Sequence, residues 1–277
     1  MRAVYEFLEL SAKKYPDKIA ITDDTASITY NELLKKSKFV SNSIRDVIKC
    51  GQSVSLLSEN SISFIIAYFG ILMAGGIVHI VPPNSSDKQL QFQIEKVKPV
   101  IIVCSETLVD KITRNQYKHI LISELINNSS KINHNDIHDK FNEVSSVIFT
   151  SGTTGTPKGV MLSHKNLLSN MSAVAKMQND IYNEKFLSFL PLSHVLERMA
   201  GHFYPMSIES EIFFAENMET VGVDMSDVSP TVVVCVPRFF EKMHDKIISG
   251  LKTQSPFKKK LFNWALQLGK DYTNLKH

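Results

Sequence analysis

The chain has 277 residues, 43% hydrophobic and 21% charged, so it is long enough to bury a sizeable core in one large or two ordinary domains. Its 31 basic and 28 acidic residues are mixed along most of the sequence, which argues against the basic stripe of a nucleic-acid-binding protein, and we expect no nucleic-acid partner. The three cysteines lack disulfide or metal-site spacing, which favours reduced thiols in a cytoplasmic protein.

Short β-rich runs alternate with longer amphipathic segments in the first half of the chain. The runs at residues 53–57, 77–81 and 100–103 are rich in Val, Ile and Leu, and helix-like segments at 62–74 and 88–97 separate them. Parallel strands need crossover connections, and helices provide them. This βαβαβ order therefore predicts an α/β fold with a doubly wound, mostly parallel sheet.

Two local signals precede this alternation. Residues 19–22 and 27–29 flank Asp23 and Asp24, which predicts a hairpin. Thr29 and Glu32 have the spacing of a capping box, in which the two side chains satisfy backbone N–H groups at a helix start. We therefore expect a hairpin followed at once by a helix.

The uncharged segment at residues 60–86 resembles a membrane span in length and composition. Gly75 and Gly76 interrupt it, a short β-branched run follows, and Pro82 and Pro83 end that run. The sequence therefore predicts a buried helix and a buried strand here.

Residues 127–143 are polar and lack any apolar pattern, which is typical of a surface linker. We therefore expect a first α/β subdomain at residues 1–126 and a second at residues 144–277. His134 and His138 in this linker would share a helix face, but Asn and Asp residues around them favour a solvated loop. No metal site is predicted.

The most informative stretch is residues 148–160, Ile-Phe-Thr-Ser-Gly-Thr-Thr-Gly-Thr-Pro-Lys-Gly-Val. Its glycines let backbone N–H groups approach an anion, its hydroxyl groups add donors, and Lys158 adds a positive charge. A Walker A loop has Gly before the Lys and Ser or Thr after it, whereas Pro157 and Gly159 flank Lys158 here. The stretch therefore predicts a phosphate-binding loop between two strands, outside the P-loop NTPase fold.

These thirteen residues resemble the signature loop of the adenylate-forming superfamily, which includes acyl-CoA synthetases, luciferases and peptide-synthetase adenylation domains. In that family the loop wraps the β- and γ-phosphates of ATP, with Mg²⁺ sharing the charge, while a carboxylate attacks the α-phosphorus. The resemblance implies that seven residues orient and neutralise the leaving pyrophosphate. They are Thr150, Ser151, Gly152, Thr153, Thr154, Gly155 and Lys158.

Residues 189–198, Phe-Leu-Pro-Leu-Ser-His-Val-Leu-Glu-Arg, are similar to a segment of the long-chain acyl-CoA synthetases. This second resemblance implies a fatty acid substrate, CoA as co-substrate, and a place for His194 beside the acyl group in the catalytic site. A structural histidine is the alternative for His194. We interpret the adjacent Glu197 and Arg198 as surface charges.

The resemblance covers nearly all of this chain but only the earlier portion of a full enzyme. It implies the family's amino-terminal domain, two doubly wound sheets packed together with the second incomplete. The family's Tyr-Gly-x-Thr-Glu type motif, ribose-binding aspartate and mobile carboxy-terminal domain have no match here. We therefore expect negligible ligase activity from the chain alone. Either a separately encoded carboxy-terminal piece completes it, or it is a non-catalytic remnant that binds nucleotide or acyl ligand.

The final stretch predicts an amphipathic helix. Phe257, Leu261, Trp264 and Leu268 fall on one face, beside the basic run at residues 258–260. Such a face can pack on further protein, which we favour, or lie on an anionic membrane. The second interpretation would make the protein a peripheral membrane module and its location membrane-peripheral.

Overall fold

The computed structural model describes residues 1–127, 142–150, 156–177, 184–215 and 219–275. The chain forms two compact units, Met1–Val234 and Cys235–His277. The strands described in the first unit are β1 (Ile19–Thr22), β2 (Ser27–Thr29), β3 (Ser53–Leu57), β4 (Ile77–Val81), β5 (Ile101–Cys104), β6 (His119–Leu121), β7 (Val144–Thr150), β8 (Lys158–Ser163), β9 (Lys185–Ser188), β10 (Glu211–Phe214) and β11 (Val232–Val233).

Helices connect most of these strands. Those of the first unit are α1 (Glu6–Lys14), α2 (Tyr30–Arg45), α3 (Ile62–Met73), α4 (Asp87–Val97), α5 (Val109–Thr113), α6 (Ile122–Asn127), α7 (His164–Met177), α8 (Val195–Glu197), α9 (Tyr204–Ser207) and α10 (Val221–Val228). A 3₁₀ turn (Glu106–Leu108) precedes α5, and a π-helix (Arg198–Phe203) joins α8 to α9. The second unit contains α11 (Pro237–Lys252) and α12 (Pro256–Leu275).

The strands form two mixed sheets. The six-stranded sheet has the order β6-β5-β3-β4-β7-β8, and the five-stranded sheet has the order β11-β9-β10-β1-β2. Neighbours run parallel except in the β7–β8 and β1–β2 pairs, which are antiparallel. Apolar residues of both sheets, among them Ile21, Ile80, Ile148 and Phe214, share one hydrophobic core. The predicted α/β class with two mostly parallel sheets is therefore confirmed.

The division predicted at residues 127–143 does not coincide with the two sheets. β7 and β8 follow that segment but belong to the sheet of β3 to β6, and β1 and β2 belong with β9 to β11. β7 pairs with β4 and also contacts α3, where Tyr68 Oη lies 2.8 Å from Ser146 Oγ. Most of the linker, including His134 and His138, lies outside the described residues.

The uncharged segment forms the buried helix and strand that the sequence predicts. All residues of α3 except Ser63 are buried, and the chain leaves it at Gly75, where a φ of 88° favours glycine. β4 follows and is buried along four of its five positions. No helix in the described part of the chain is long and apolar enough to cross a membrane.

Capping groups fix the helix starts nearest the site. The predicted capping box between Thr29 and Glu32 is present at α2, and a second box, between Ser86 and Gln89, begins α4. α3 begins at Ser61, whose side chain accepts a hydrogen bond from the Phe64 N–H. These caps set the places where the chain turns from the sheet edge into α3 and α4.

Candidate functional site

A cleft of about 570 Å³ opens at the carboxyl ends of β4 and β7. Three residues that follow β4 line one side of it: Pro82, Asn84 and Ser85. Phe149 and Thr150, the last residues of β7, line another side. Carboxyl ends of parallel strands in open α/β sheets are where ligands commonly bind.

The remaining walls of the cleft come from α4 and from two loops. One face of α4 contributes Lys88, Gln89, Phe92 and Gln93, which recur at helical spacing. Pro157 and His194 close the cleft from other parts of the chain. Thr150 and His194, which the sequence predicts as site residues from two separate motifs, therefore face one cavity.

The predicted phosphate-binding loop connects two antiparallel strands. Thr150 at the end of β7 pairs in register with Lys158 at the start of β8, so the predicted strand-loop-strand context is confirmed. Lys158 is exposed at this hairpin and is not among the residues that line the cleft. The intervening predicted residues, Ser151, Gly152, Thr153, Thr154 and Gly155, lie outside the described residues.

His194 is exposed at the start of α8, and its segment is fixed from two directions. Asn60, just before α3, donates from Nδ2 to the Leu190 carbonyl at 2.7 Å and accepts from the Leu192 N–H at 3.0 Å. The His194 N–H donates to the Pro191 carbonyl at 2.9 Å. The paired contacts of Asn60 tie the segment before His194 to the six-stranded side of the cleft.

The interpretation of Glu197 and Arg198 as surface charges is wrong, because both side chains are buried. Ser188, at the end of β9, donates its hydroxyl hydrogen to Glu197 Oε1 at 2.5 Å. Burial raises the pKa of Glu197 to about 7, and the Ser188 hydrogen bond opposes that shift. The one-turn helix α8 turns Glu197 inward beneath β9, which adjacent charges in a sequence do not reveal.

The guanidinium group of Arg198 lies over the ring of Tyr68, with Cζ 3.7 Å from the ring centroid. His202 lies in the same buried region, and burial and the nearby Arg198 lower its pKa well below the ordinary value. His202 therefore stays neutral at physiological pH. These groups pack the π-helix against α3 and do not line the cleft.

The cleft suits an anion. Among the described residues that line it, none carries a carboxylate, and Lys88 supplies a positive charge. Backbone and side-chain donors without a competing acidic group favour bound phosphate or carboxylate oxygens. No group of three or more His, Cys, Asp or Glu side chains in the described part of the chain is placed to hold a metal ion.

Sequence reasoning missed the contribution of α4 and the turn before it. The signal was present, since Pro82 and Pro83 end a buried parallel strand and so mark the edge where ligands bind. Asn84 and Ser85 follow directly. The spacing of Lys88, Phe92 and Gln93 on one helix face could then have added the second wall.

The chain is similar in sequence to known proteins over most of its length. The AMP-binding enzyme family matches residues 8–275 of the chain. A long-chain-fatty-acid–CoA ligase, ACSBG2 of Mus musculus, is 29% identical over 278 residues, which cover 87% of this chain and 41% of that protein. The chain thus spans about two fifths of the length of the curated relatives it matches first.

Solved structures show the same fold. The inhibitor-bound N-terminal domain of FACL13 from Mycobacterium tuberculosis superposes with a TM-score of 0.81 at 18% identity, covering 88% of this chain and 65% of that chain. The o-succinylbenzoate CoA synthetase MenE from Bacillus subtilis, in complex with ATP and magnesium ion, superposes with a TM-score of 0.77 at 19% identity. The match covers 86% of this chain and 50% of that chain.

Proposed function

Because the chain belongs to the AMP-binding enzyme family, we propose that its cleft activates a long-chain fatty acid with ATP for transfer to CoA. A carboxylate oxygen of the acid attacks the α-phosphorus, the bond between the α-phosphorus and its bridging oxygen breaks, and pyrophosphate leaves. The thiol sulfur of CoA then attacks the acyl carbon of the acyl-adenylate, and AMP leaves. The fatty-acid–CoA ligase relatives support the substrate class.

One observation carries this proposal. Thr150, from the phosphate-loop motif, and His194, from the acyl-site motif, line the same cleft although 44 positions separate them in the chain. A reaction that joins a carboxylate to a phosphate needs both groups held together. Mg²⁺ would enter as MgATP, since Ser85 and Thr150 supply hydroxyl oxygens there, whereas none of the described residues that line the cleft supplies a carboxylate.

Within this function Lys158 neutralises charge on the polyphosphate, and the residues from Thr150 to Gly155 hold it with N–H and hydroxyl donors. His194 contacts the acyl group. The polypeptide of residues 1–277 is expected to have negligible ligase activity by itself, because it matches only 41% of the mouse ligase. Further polypeptide, corresponding to the rest of the relatives' length, would then complete the site.

Affinity for MgATP, measured by isothermal titration calorimetry, tests the proposal. We expect Lys158→Ala to weaken MgATP binding by about tenfold or more, since a charge-assisted contact to phosphate is lost. Lys185→Ala is the matched control, because Lys185 is also exposed at the first position of a strand, β9. Equal affinities in wild type and Lys158→Ala would contradict the proposed loop function.

Exchange of labelled pyrophosphate into ATP separates the remaining alternatives. Fatty-acid-dependent exchange that appears only when a carboxy-terminal polypeptide of a relative is added supports a divided enzyme. MgATP binding without exchange under either condition supports a non-catalytic nucleotide-binding protein. Exchange by residues 1–277 alone would contradict the expected inactivity.

A further inference from the structure

A chain of three polar side chains lies behind the wall of the cleft. Ser55 on β3, His79 on β4 and Gln93 on α4 are all buried, and Ser55 and His79 are fully so. Ser55 Oγ lies 2.8 Å from His79 Nδ1, and His79 Nε2 lies 3.1 Å from Gln93 Oε1. Each imidazole nitrogen therefore has one partner, and the cleft-lining residue Gln93 ends the chain.

These partners determine the tautomer of His79. The Gln93 carbonyl oxygen can only accept, so Nε2 carries the hydrogen and donates it. Nδ1 is then the acceptor, and the Ser55 hydroxyl donates to it. Burial lowers the pKa of His79 to about 4, so the ring stays neutral at physiological pH and keeps one donor and one acceptor.

The same contact with His79 gives the orientation of the Gln93 amide. With Oε1 bound to His79, the N–H groups are what the side chain still offers, and Gln93 lines the cleft. Among the described residues, the amide nitrogen of Gln93 has no hydrogen-bond acceptor. A donor with no acceptor among the described residues, at the wall of a cleft whose described lining has no carboxylate, fits an anionic oxygen of a ligand.

The same histidine also supports the end of β7. The Phe149 ring packs against His79 with centroids 5.4 Å apart, and Phe92 packs against Phe149 at 6.2 Å. Phe149 directly precedes Thr150, where the phosphate-binding loop begins. His79 therefore contacts both the carbonyl oxygen of Gln93 and the strand that leads into the loop.

We propose that Gln93 donates an N–H hydrogen bond to an anionic oxygen of the substrate in the cleft, and that Ser55 and His79 are positioning residues that fix which end of the amide faces it. The inference rests on the proposed function for its ligand. The oxygen belongs to a phosphate of ATP or to the carboxylate of the fatty acid, which share this chemistry.

Two binding measurements on the 277-residue chain distinguish these sources, one with MgATP and one with palmitate. Gln93→Leu is expected to lower the affinity for the ligand that Gln93 contacts by about tenfold, as for loss of a hydrogen bond to a charged group. Gln93→Glu keeps the acceptor for His79 but presents a carboxylate to the ligand, and should lower that affinity further. Gln91→Leu is the control, since Gln91 is exposed on the same helix and lies outside the cleft.

Variants of His79 test the positioning role. His79→Gln retains a donor near Gln93 and should keep most of the affinity for the ligand that Gln93 contacts. His79→Leu should lower that affinity as much as Gln93→Leu does. A long-range ¹H–¹⁵N spectrum of the wild type should show the hydrogen of His79 on Nε2, and Ser55→Ala should alter that spectrum. A hydrogen on Nδ1 would overturn the proposal, whichever variants fold.

The outcomes also separate this inference from the proposed function. If Lys158→Ala weakens MgATP binding while Gln93→Leu leaves the affinities for both MgATP and palmitate unchanged, only the role of Gln93 is wrong. If the wild-type chain binds neither MgATP nor palmitate, both proposals are wrong. If Gln93→Leu lowers the affinity for one ligand and Gln91→Leu leaves it unchanged, Gln93 contacts that ligand.

Discussion

Glu197 is a buried carboxyl group whose titration should appear in the stability of the protein. Burial raises its pKa from 4.5 to about 7 in the folded state. Between these pH values the folded protein holds a proton that the unfolded chain has released. The free energy of unfolding should therefore fall as pH rises from 4.5 to 7, by about 3 kcal/mol in total from this group.

Glu197→Gln tests this titration, because glutamine keeps the acceptor for the Ser188 hydroxyl and cannot ionise. We expect the variant to be close to wild type at pH 5 and more stable by about 2–3 kcal/mol at pH 8. Urea unfolding at both pH values measures the difference. His79 has a lowered pKa and changes the stability with pH in the opposite sense, but its contribution is the same in wild type and variant and so cancels in the difference. If the free energies of unfolding of variant and wild type differed by the same amount at both pH values, the raised pKa of Glu197 would be contradicted.

The sequence indicated which residues would lie near one another in some cases and misjudged burial in others, for identifiable reasons. Thr150 and His194 belong to extended motifs, so their position at one cleft followed from resemblance. Glu197 and Arg198 appeared as a charged pair, which is usually exposed, yet a Cβ added at Gly201 would lie 2.1 Å from Glu197 Oε1. A glycine one turn after a Glu was the available sign that the carboxyl group packs inward.

At the scale of elements, the close contact between α2 and α3 depends on Gly70. A Cβ added there would lie 2.5 Å from Val40 Cβ on α2 and 2.9 Å from the Ser37 carbonyl oxygen. Neither atom is the end of a flexible side chain, so the helices would have to separate. Gly70 thus sets the spacing between α2, which contacts β1 and β2, and α3, which contacts β3 and β4.

We expect Gly70→Ala to destabilise the protein by about 1–3 kcal/mol, the usual cost of overpacking a core. Gly222→Ala in α10 is the matched control, since nothing lies within 4 Å of an added Cβ there. The control should be neutral or more stable by up to about 1 kcal/mol, because alanine favours helix. Thermal unfolding of the two variants measures this, and similar midpoints for both would contradict the packing argument.

Individual elements were more predictable than their assembly. The β1–β2 hairpin, the capping box at α2 and the helix-strand interpretation of residues 60–86 follow from local patterns, and the structure confirms them. Sheet membership does not follow locally, because a parallel strand can join any sheet its crossover reaches. β7 therefore could not be assigned to the first sheet from residues 144–150 alone.

At the scale of the whole molecule, charge is distributed unevenly between the two units. Cys235–His277 contains nine Lys and Arg residues against three Asp and Glu residues, although the chain overall carries +3. α12 also exposes Phe257, Leu261 and Trp264. A basic helix with exposed apolar side chains suits either an anionic membrane or further protein, as the sequence predicts.

We expect this face to pack against further polypeptide, so deleting residues 256–277 should leave vesicle binding unchanged. Co-sedimentation with phosphatidylserine-containing vesicles measures it, and neutral phosphatidylcholine vesicles are the control. A membrane-peripheral protein would instead be favoured if the deletion abolished binding to the anionic vesicles only. Salt should then also release the full chain from those vesicles.

The parallel pairing of β1 with β10 sets an order of events during synthesis. Ile21 at the start of the chain pairs with Ile212, so the first strand made has no parallel partner until some 190 further residues have been added. At ribosomal rates this delay lasts about 10 to 40 seconds. Newly made β1 and β2 therefore emerge as a hairpin with one edge open, and the nascent chain is most exposed to chaperones and to mispairing before the five-stranded sheet can close around it.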